Sequence, residues 1–283
     1  MQAAELRIGE GNDAIERVEV HIPRDGFSPH RHDTYAIGVT LSGVQAFRYR
    51  GVERRCLPGQ CHILHPDEVH DGRCGDGGGF RYRIAYIDPA VVQRAIGGMP
   101  LPFAADPVVT LAPAQFRLLA PLWDLTDPLD AMREAELSVA VADILMALSS
   151  PGPRPGKPLA LQPLLRVREL LASAAAEDTS AEAMESVARL DRWTLARQFR
   201  AAFGTSPTRF RTMRQLDAAR RLMARGASLA DASQQAGFFD QSHMSRKFKR
   251  AYGLTPGRWA ASLRNAAPAA TRCGSNATPR RWR

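Results

Sequence analysis

Two stretches of the chain carry one pattern written twice. Residues 191–210, DRWTLARQFRAAFGTSPTRF, superpose on residues 240–259, DQSHMSRKFKRAYGLTPGRW, at a constant offset of 49. Asp191 meets Asp240, Leu195 meets Met244, Phe199 meets Phe248 and Phe203 meets Tyr252. Gly204 then meets Gly253, Pro207 meets Pro256 and Phe210 meets Trp259. The preceding segments match as well, TSAEAMESVARLD against SLADASQQAGFFD. A repeat of this kind requires the same small core to be built twice, from two copies of a helix, turn, helix unit.

The apolar spacing sets the faces of each second helix. Leu195, Phe199, Ala202 and Phe203 share one side, as do Met244, Phe248, Ala251 and Tyr252. The opposite side offers Arg192, Trp193, Ala196, Arg197 and Arg200 in the first unit. In the second it offers Gln241, Ser242, Ser245, Arg246 and Lys249. Stop and start signals frame these helices. Asp191 and Asp240 are placed as N-caps, and Gly204 and Gly253 end the helices. Ser206 with Pro207 opens a long connecting helix that Gly226 closes, and Ser228 with Asp231 opens the next. Thr179 with Glu182 reads as a capping box for the first short helix. Leu164, Val167, Leu170 and Leu171 mark a helix before it.

Upstream, the composition breaks at SSPGPRPGKP, where four prolines in ten residues rule out a helix or strand interior. Residues 151–158 therefore read as a linker between a front domain, 1–150, and a rear domain, 159–264, with 265–283 as a disordered tail. The charge divides at the same place. From Leu159 onward there are 22 Lys and Arg against 9 Asp and Glu, whereas the first 158 residues hold 16 against 20. A basic rear half joined to a weakly acidic front half points to a polyanion partner for the rear half.

The front half reads as short strands. RVEVHIP, YAIGVTLSG, VQAFRYRG, GQCHILHP and FRYRIAYID carry β-branched and aromatic residues between turn signals, which suits a small barrel or jelly roll. The segment from Ala114 to Ser149 turns helical, and Leu137, Val141, Ile144, Leu145 and Leu148 form one apolar stripe. That stripe must pack on the barrel or on a second subunit, and it is assigned here to dimerisation. The four cysteines form no CxxC pair and read as reduced thiols. There is no run of 18 apolar residues, and the opening residues have no leader pattern, so a cytoplasmic, nucleoid-associated protein is expected.

Residues 159–263 resemble the DNA-binding domain of the AraC/XylS family of bacterial transcription regulators. The doubled unit, the long connecting helix and the closing GFFDQSHMSRKFKRAYGLTPGRW carry the resemblance. It implies two recognition helices entering successive major grooves. Carried over by position, Trp193, Ala196 and Arg197 face the bases in the first unit, and Gln241, Ser242 and Arg246 in the second. Those residue types suit the task, since glutamine pairs with adenine and arginine with guanine.

The front half resembles the cupin-like sensory domain attached to many members of that family. Its marks are His30-x-His32-Asp33, Gly43, Gly51, Pro58-Gly59 and Pro66 through His70. The resemblance implies a small-molecule effector in the barrel, with His30, His32, Tyr35, Arg48, His70 and Tyr82 as candidate lining. Metal-binding cupins use three histidines and a glutamate. His30, His32 and His70 are weak candidates for such a site, but the glutamate expected after His32 is missing. No metal, cofactor or enzyme activity is therefore expected. The expected molecule is a two-domain regulator, a mainly-β cupin or jelly-roll barrel with following helices, joined to an all-α domain. It binds double-stranded DNA in a sequence-specific way, activates transcription under effector control, forms a homodimer and can contact RNA polymerase. The rival readings are a constitutive regulator with a structural front domain and a metal-dependent enzyme with a DNA-binding appendage.

Overall fold

A computed structural model describes residues 5–24, 26–149, 158–176 and 179–266. The linker at 151–157 and the tail from 267 lie outside the described residues, so the expectations for them have no structural counterpart.

The front half contains β1 (Glu5–Ile8), β2 (Ile15–Ile22), β3 (Phe27–His30), β4 (Tyr35–Ser42) and β5 (Gln45–Tyr49). It continues with β6 (Val52–Cys56), β7 (Cys61–Leu64), β8 (His70–Cys74), β9 (Phe80–Ile87), α1 (Pro89–Ile96) and β10 (Val108–Val109). It ends in α2 (Pro113–Leu119), a single 3₁₀ turn at Ala120–Trp123, and α3 (Ala131–Leu148). The strands make two antiparallel sheets, ordered β1-β2-β9-β4-β7-β10 and β3-β8-β5-β6. This is the barrel expected from the sequence, with shorter strands added at its edges. The strand Val52–Cys56 was hidden because VERRC carries too many charges to look like one.

The six-stranded sheet is buried on both faces, and this decides where its side chains go. Along β4, Tyr35, Ile37 and Val39 face a core shared with α1, α3 and the 3₁₀ turn, while Ala36 faces the barrel interior. Along β9, Phe80, Tyr82 and Ile84 point inward, and Ala85 and Ile87 point out under the helices. The α3 stripe completes that outer core. Leu137, Val141, Ile144 and Leu145 are buried there, and Leu148 packs against the same cluster. The assignment of these five residues to dimerisation is therefore corrected. Their apolar area is spent inside their own domain, which leaves Met132, Val139 and Met146 on the exposed side of α3.

The rear half is all helix: α4 (Leu161–Ser173), α5 (Ala181–Ala188), α6 (Arg192–Phe203), α7 (Pro207–Ala224), α8 (Leu229–Gln235), α9 (Gln241–Tyr252) and α10 (Pro256–Ala266). The N-caps fall at Asp191, Ser206, Ser228 and Asp240 as expected. The first cap moves by one residue: Ser180, not Thr179, accepts from the Ala183 amide and opens α5. The repeat is reproduced in three dimensions. Phe199 and Phe210 lie 5.9 Å apart with their rings at 65°, and Phe248 and Trp259 lie 5.9 Å apart at 62°.

Candidate functional site

Each recognition helix is shaped by its cap and its buried side. The Asp191 carboxylate accepts from the Trp193 and Thr194 amides, which fixes the start of α6. Leu195, Phe199, Ala202 and Phe203 are then buried, so Trp193, Ala196 and Arg197 are turned outward. Trp193 is 79% exposed, so its indole takes no part in the core of the domain. In α9 the Asp240 cap and the burial of Met244 and Phe248 leave Gln241, Ser242, Arg246 and Lys249 exposed, with Ser245 half-buried. Among the described residues neither Arg197 nor Arg246 has an ion-pair partner, so both guanidinium groups are available to an anion or a base edge.

Two candidates in the first unit differ from this pattern. Arg192 is held by Glu185 at 3.3 Å and Glu182 at 3.5 Å, which offsets its charge. Arg200 points back to Asp67 of the barrel domain at 3.8 Å. One exposed aromatic was overlooked. Phe239, in the turn before α9, is 93% exposed, whereas its neighbour Phe238 fills the core. Two consecutive aromatics in a tight turn cannot both face inward, and that was the available signal.

Both recognition helices end on the barrel domain. Gly204 closes α6 with φ of 74°, and a side chain there would lie 2.6 Å from Pro66 Cβ. Gly253 closes α9 with φ of 70°, and a side chain there would meet Ser28 O at 2.8 Å and His30 Nδ1 at 2.9 Å. Backbone hydrogen bonds join the same surfaces: Leu101 N to Ala201 O, Ser28 N to Gly253 O, and Arg31 N to Arg250 O. Four arginines of the rear half add ion pairs across the boundary. Arg168 pairs with Asp88 and Arg209 with Asp67. Arg214 lies 2.9 Å from Asp33, and Arg220 lies 2.5 Å from Glu16. Part of the charge asymmetry is thus answered within the molecule, because these arginines meet the acidic front half rather than an outside polyanion.

Between the two halves lies a cavity of about 1020 Å³. Barrel residues Val18, Val20, Leu64, Tyr82 and Ile84 line it from one side, and Phe210, Met213, Arg214, Arg220 and Trp259 from the other. Four of the six expected effector residues are on its wall: His30, His32, His70 and Tyr82. Tyr35 and Arg48 are not. Tyr35 belongs to the opposite face of β4, where its hydroxyl donates to Pro102 O at 2.8 Å. Arg48 is exposed on the outer side of β5, beside Asp71 and Glu68 in a shallow depression. Strand alternation puts each of them on the wrong side for the cavity. His62, Gln45 and Tyr86 line the cavity and were overlooked. The imidazole of His62 occupies the space a side chain at residue 38 would need, so Gly38 is what admits it to the barrel.

The cavity histidines are electrically quiet. Burial pushes His30 and His62 down to about 4 and His32 down to about 3, and it also depresses His70. The rings of His30 and His70 are 4.3 Å apart and those of His32 and His70 4.9 Å, yet no three His, Cys, Asp or Glu among the described residues are placed to hold a metal ion. The three weak metal candidates therefore come together without forming a ligand set.

Comparison with known proteins matches both halves separately. The family model described as the AraC-like ligand binding domain matches residues 13–144, and a helix-turn-helix domain model matches residues 184–262. An HTH-type transcriptional regulator of Bacillus subtilis, YbfI, is 26% identical over 231 residues, covering 77% of this chain and 81% of that one. A crystal structure of ToxT from Vibrio cholerae aligns with a TM-score of 0.64 at 12% identity, over 89% of this chain and 99% of that one. A ToxT structure with an unsaturated fatty acid bound gives the same TM-score at 13% identity, over 92% and 99%. At these identities the solved structures establish the two-domain fold.

Proposed function

This chain belongs to the AraC family of DNA-binding transcription regulators, and on that footing we propose that an effector in the interdomain cavity sets the positions of both recognition helices. The observation that carries this reading is the seating of α6 and α9. Each ends in a left-handed glycine packed on the barrel domain, Gly204 on Pro66 and Gly253 on β3. A ligand that moves the barrel wall against α7 and α10 moves the supports of both helices at once, which supplies the differential contact a switch requires. Binding of an unsaturated fatty acid by ToxT supports a small-molecule effector here, while the ligand itself does not carry across at 13% identity.

In this reading residues 1–150 sense and residues 159–264 bind DNA. Trp193, Ala196 and Arg197 address one half of the site, and Gln241, Ser242 and Arg246 the other. Ala196 offers only an apolar contact, so the two halves are read differently. Arg192, Arg200, Ser245 and Lys249 flank these positions, with Lys249 directed to phosphate. Homodimerisation and contact with RNA polymerase during activation belong to the same reading. Neither can use the internal residues Leu137, Val141, Ile144 and Leu145. In the same reading the protein works on the nucleoid, in the cytoplasm.

The test is direct. A binding site is selected with the full chain, and affinity is measured by fluorescence anisotropy. Arg246→Ala should weaken binding by about 1–3 kcal/mol and relax base preference at one position. A folded R246A protein that binds with parental affinity and preference would overturn the groove assignment. An effector-blind protein, in which no cavity ligand alters DNA affinity, would leave a constitutive regulator.

A further inference from the structure

The barrel end of the cavity holds polar atoms that nothing in the chain satisfies. His32 Nε2, both ring nitrogens of His62 and Gln45 Oε1 are buried without a hydrogen-bond partner among the described residues, and all three side chains line the cavity. His62 is fully buried, and His32 and Gln45 are each 6% exposed. Buried polar groups carry the full desolvation cost unless a partner supplies what water gave them. Several of them on one cavity wall mark a place built for a ligand.

We infer that this wall is a subsite for an uncharged, hydroxyl-bearing ligand group, which donates hydrogen bonds to the histidines, and that a carboxylate is disfavoured there. The inference rests on the effector reading above and names its chemical class.

The polarity of the wall follows from the backbone. His30 Nδ1 lies 2.8 Å from Ser28 O, His32 Nδ1 3.0 Å from Thr34 O, and His70 Nδ1 3.0 Å from Glu68 O. A carbonyl oxygen only accepts, so each Nδ1 must carry the proton. In the neutral ring Nε2 is then left as an acceptor, and burial keeps these rings neutral. Five acceptors stand here, three imidazole Nε2 atoms, one ring nitrogen of His62 and Gln45 Oε1; the groups that only donate are the other ring nitrogen of His62 and the Gln45 amide, and the Tyr82 and Tyr86 hydroxyls both donate and accept. A ligand complements this wall by donating. Hydroxyl groups do so, whereas a carboxylate adds more acceptors and a charge.

The cations of the cavity do not reverse the argument. Arg168 is paired with Asp88, Arg214 with Asp33 and Asp217, and Arg220 with Glu16 and Asp217. A ligand anion would have to displace an acid already in place. Arg221, also on the lining, is exposed to solvent. A single metal ion is disfavoured as the occupant, because no group of three ligating side chains among the described residues is placed to share one. Val18, Val20, Leu64 and Ile84 supply an apolar surface for the remainder of the ligand.

The experiment compares 1,2-decanediol with decanoate by titration calorimetry on the full chain at pH 7.5. The diol should bind at least tenfold more tightly than the acid. Gln45→Leu and His70→Leu, made separately, should each erode that preference at least threefold. In the unaltered protein with ¹⁵N-labelled histidine, the diol should shift the Nε2 signals of His32 and His70 and leave that of His243 unmoved. Equal or tighter binding of decanoate, binding of neither probe, or a preference untouched by both variants would overturn the inference. So would stoichiometric uptake of zinc that excludes the diol. A diol that binds as expected yet leaves DNA affinity unchanged upholds the subsite and sinks the effector reading instead.

Discussion

At the scale of single residues, adjacent positions can serve opposite ends. Phe238 is buried among Met244, Phe248 and their neighbours, whereas Phe239 is almost wholly exposed. Phe238→Ala should cost about 3–5 kcal/mol of stability, the usual penalty for emptying an aromatic site. Phe239→Ala should stay within about 0.5 kcal/mol in a thermal melt, yet weaken DNA binding measured by anisotropy. Unchanged DNA binding by F239A would remove Phe239 from the interface. The buried histidines give a pH signature. Folding holds His62 at about 4 against an ordinary 6.5, so between those values the unfolded chain binds a proton that the folded chain refuses. The stability from keeping His62 neutral is complete above pH 6.5 and is lost as the pH falls toward 4. The slope is about 1.4 kcal/mol per pH unit for a group so fully buried. The other buried histidines add to it, so denaturant titrations at a series of pH values should show at least that slope, and His62→Gln should lower it by about 1.4 kcal/mol per pH unit. None of this burial could be read from the chain, because HIL looks the same in a strand whichever face the histidine takes.

At the scale of elements, the helix boundaries were legible and their attachments were not. Aspartate or serine caps and glycine stops are local devices, fixed by a few dihedral angles and one or two hydrogen bonds, so a one-dimensional reading finds them. The glycines that stop α6 and α9 have a second duty that local reasoning misses, since Pro66 and Ser28 O approach them from the barrel. Gly253→Ala therefore faces two costs. The left-handed conformation costs roughly 1–2 kcal/mol, and the added methyl must push β3 away. The variant should melt earlier and show faster amide exchange in β3 than the parent. Gly226→Ala, where φ is 91° and nothing crowds the site, should show the first effect without the second. The α3 stripe was misassigned for a related reason. An apolar face announces that it will be covered, but the covering surface came from the outer side of a sheet whose two-sided burial is invisible in short strands.

At the scale of the whole molecule, the basic rear half has a second acidic partner besides DNA, the front half of its own chain. Arg220 sits against Tyr252 and Trp259 and reaches Glu16 on β2, so it ties the second helix-turn-helix unit to the barrel. Glu16→Gln leaves that arginine beside Asp217 but without its barrel carboxylate, and losing one charge-assisted pair at such a part-exposed site costs about 1–3 kcal/mol. Calorimetry should then resolve two melting transitions where the parent shows one. A single unshifted transition would mean that the pair does not couple the halves. The repeat, the caps and the barrel class were determined by the sequence alone, because each depends on residues within a turn or two of one another. Only the tertiary structure decided which arginines are free. Arg197 and Arg200 lie three positions apart on one helix, yet Arg200 is drawn toward Asp67 while Arg197 has no acidic partner among the described residues. The difference is made by a carboxylate more than a hundred residues away, and electrostatic pairing acts through space, where sequence order has no say.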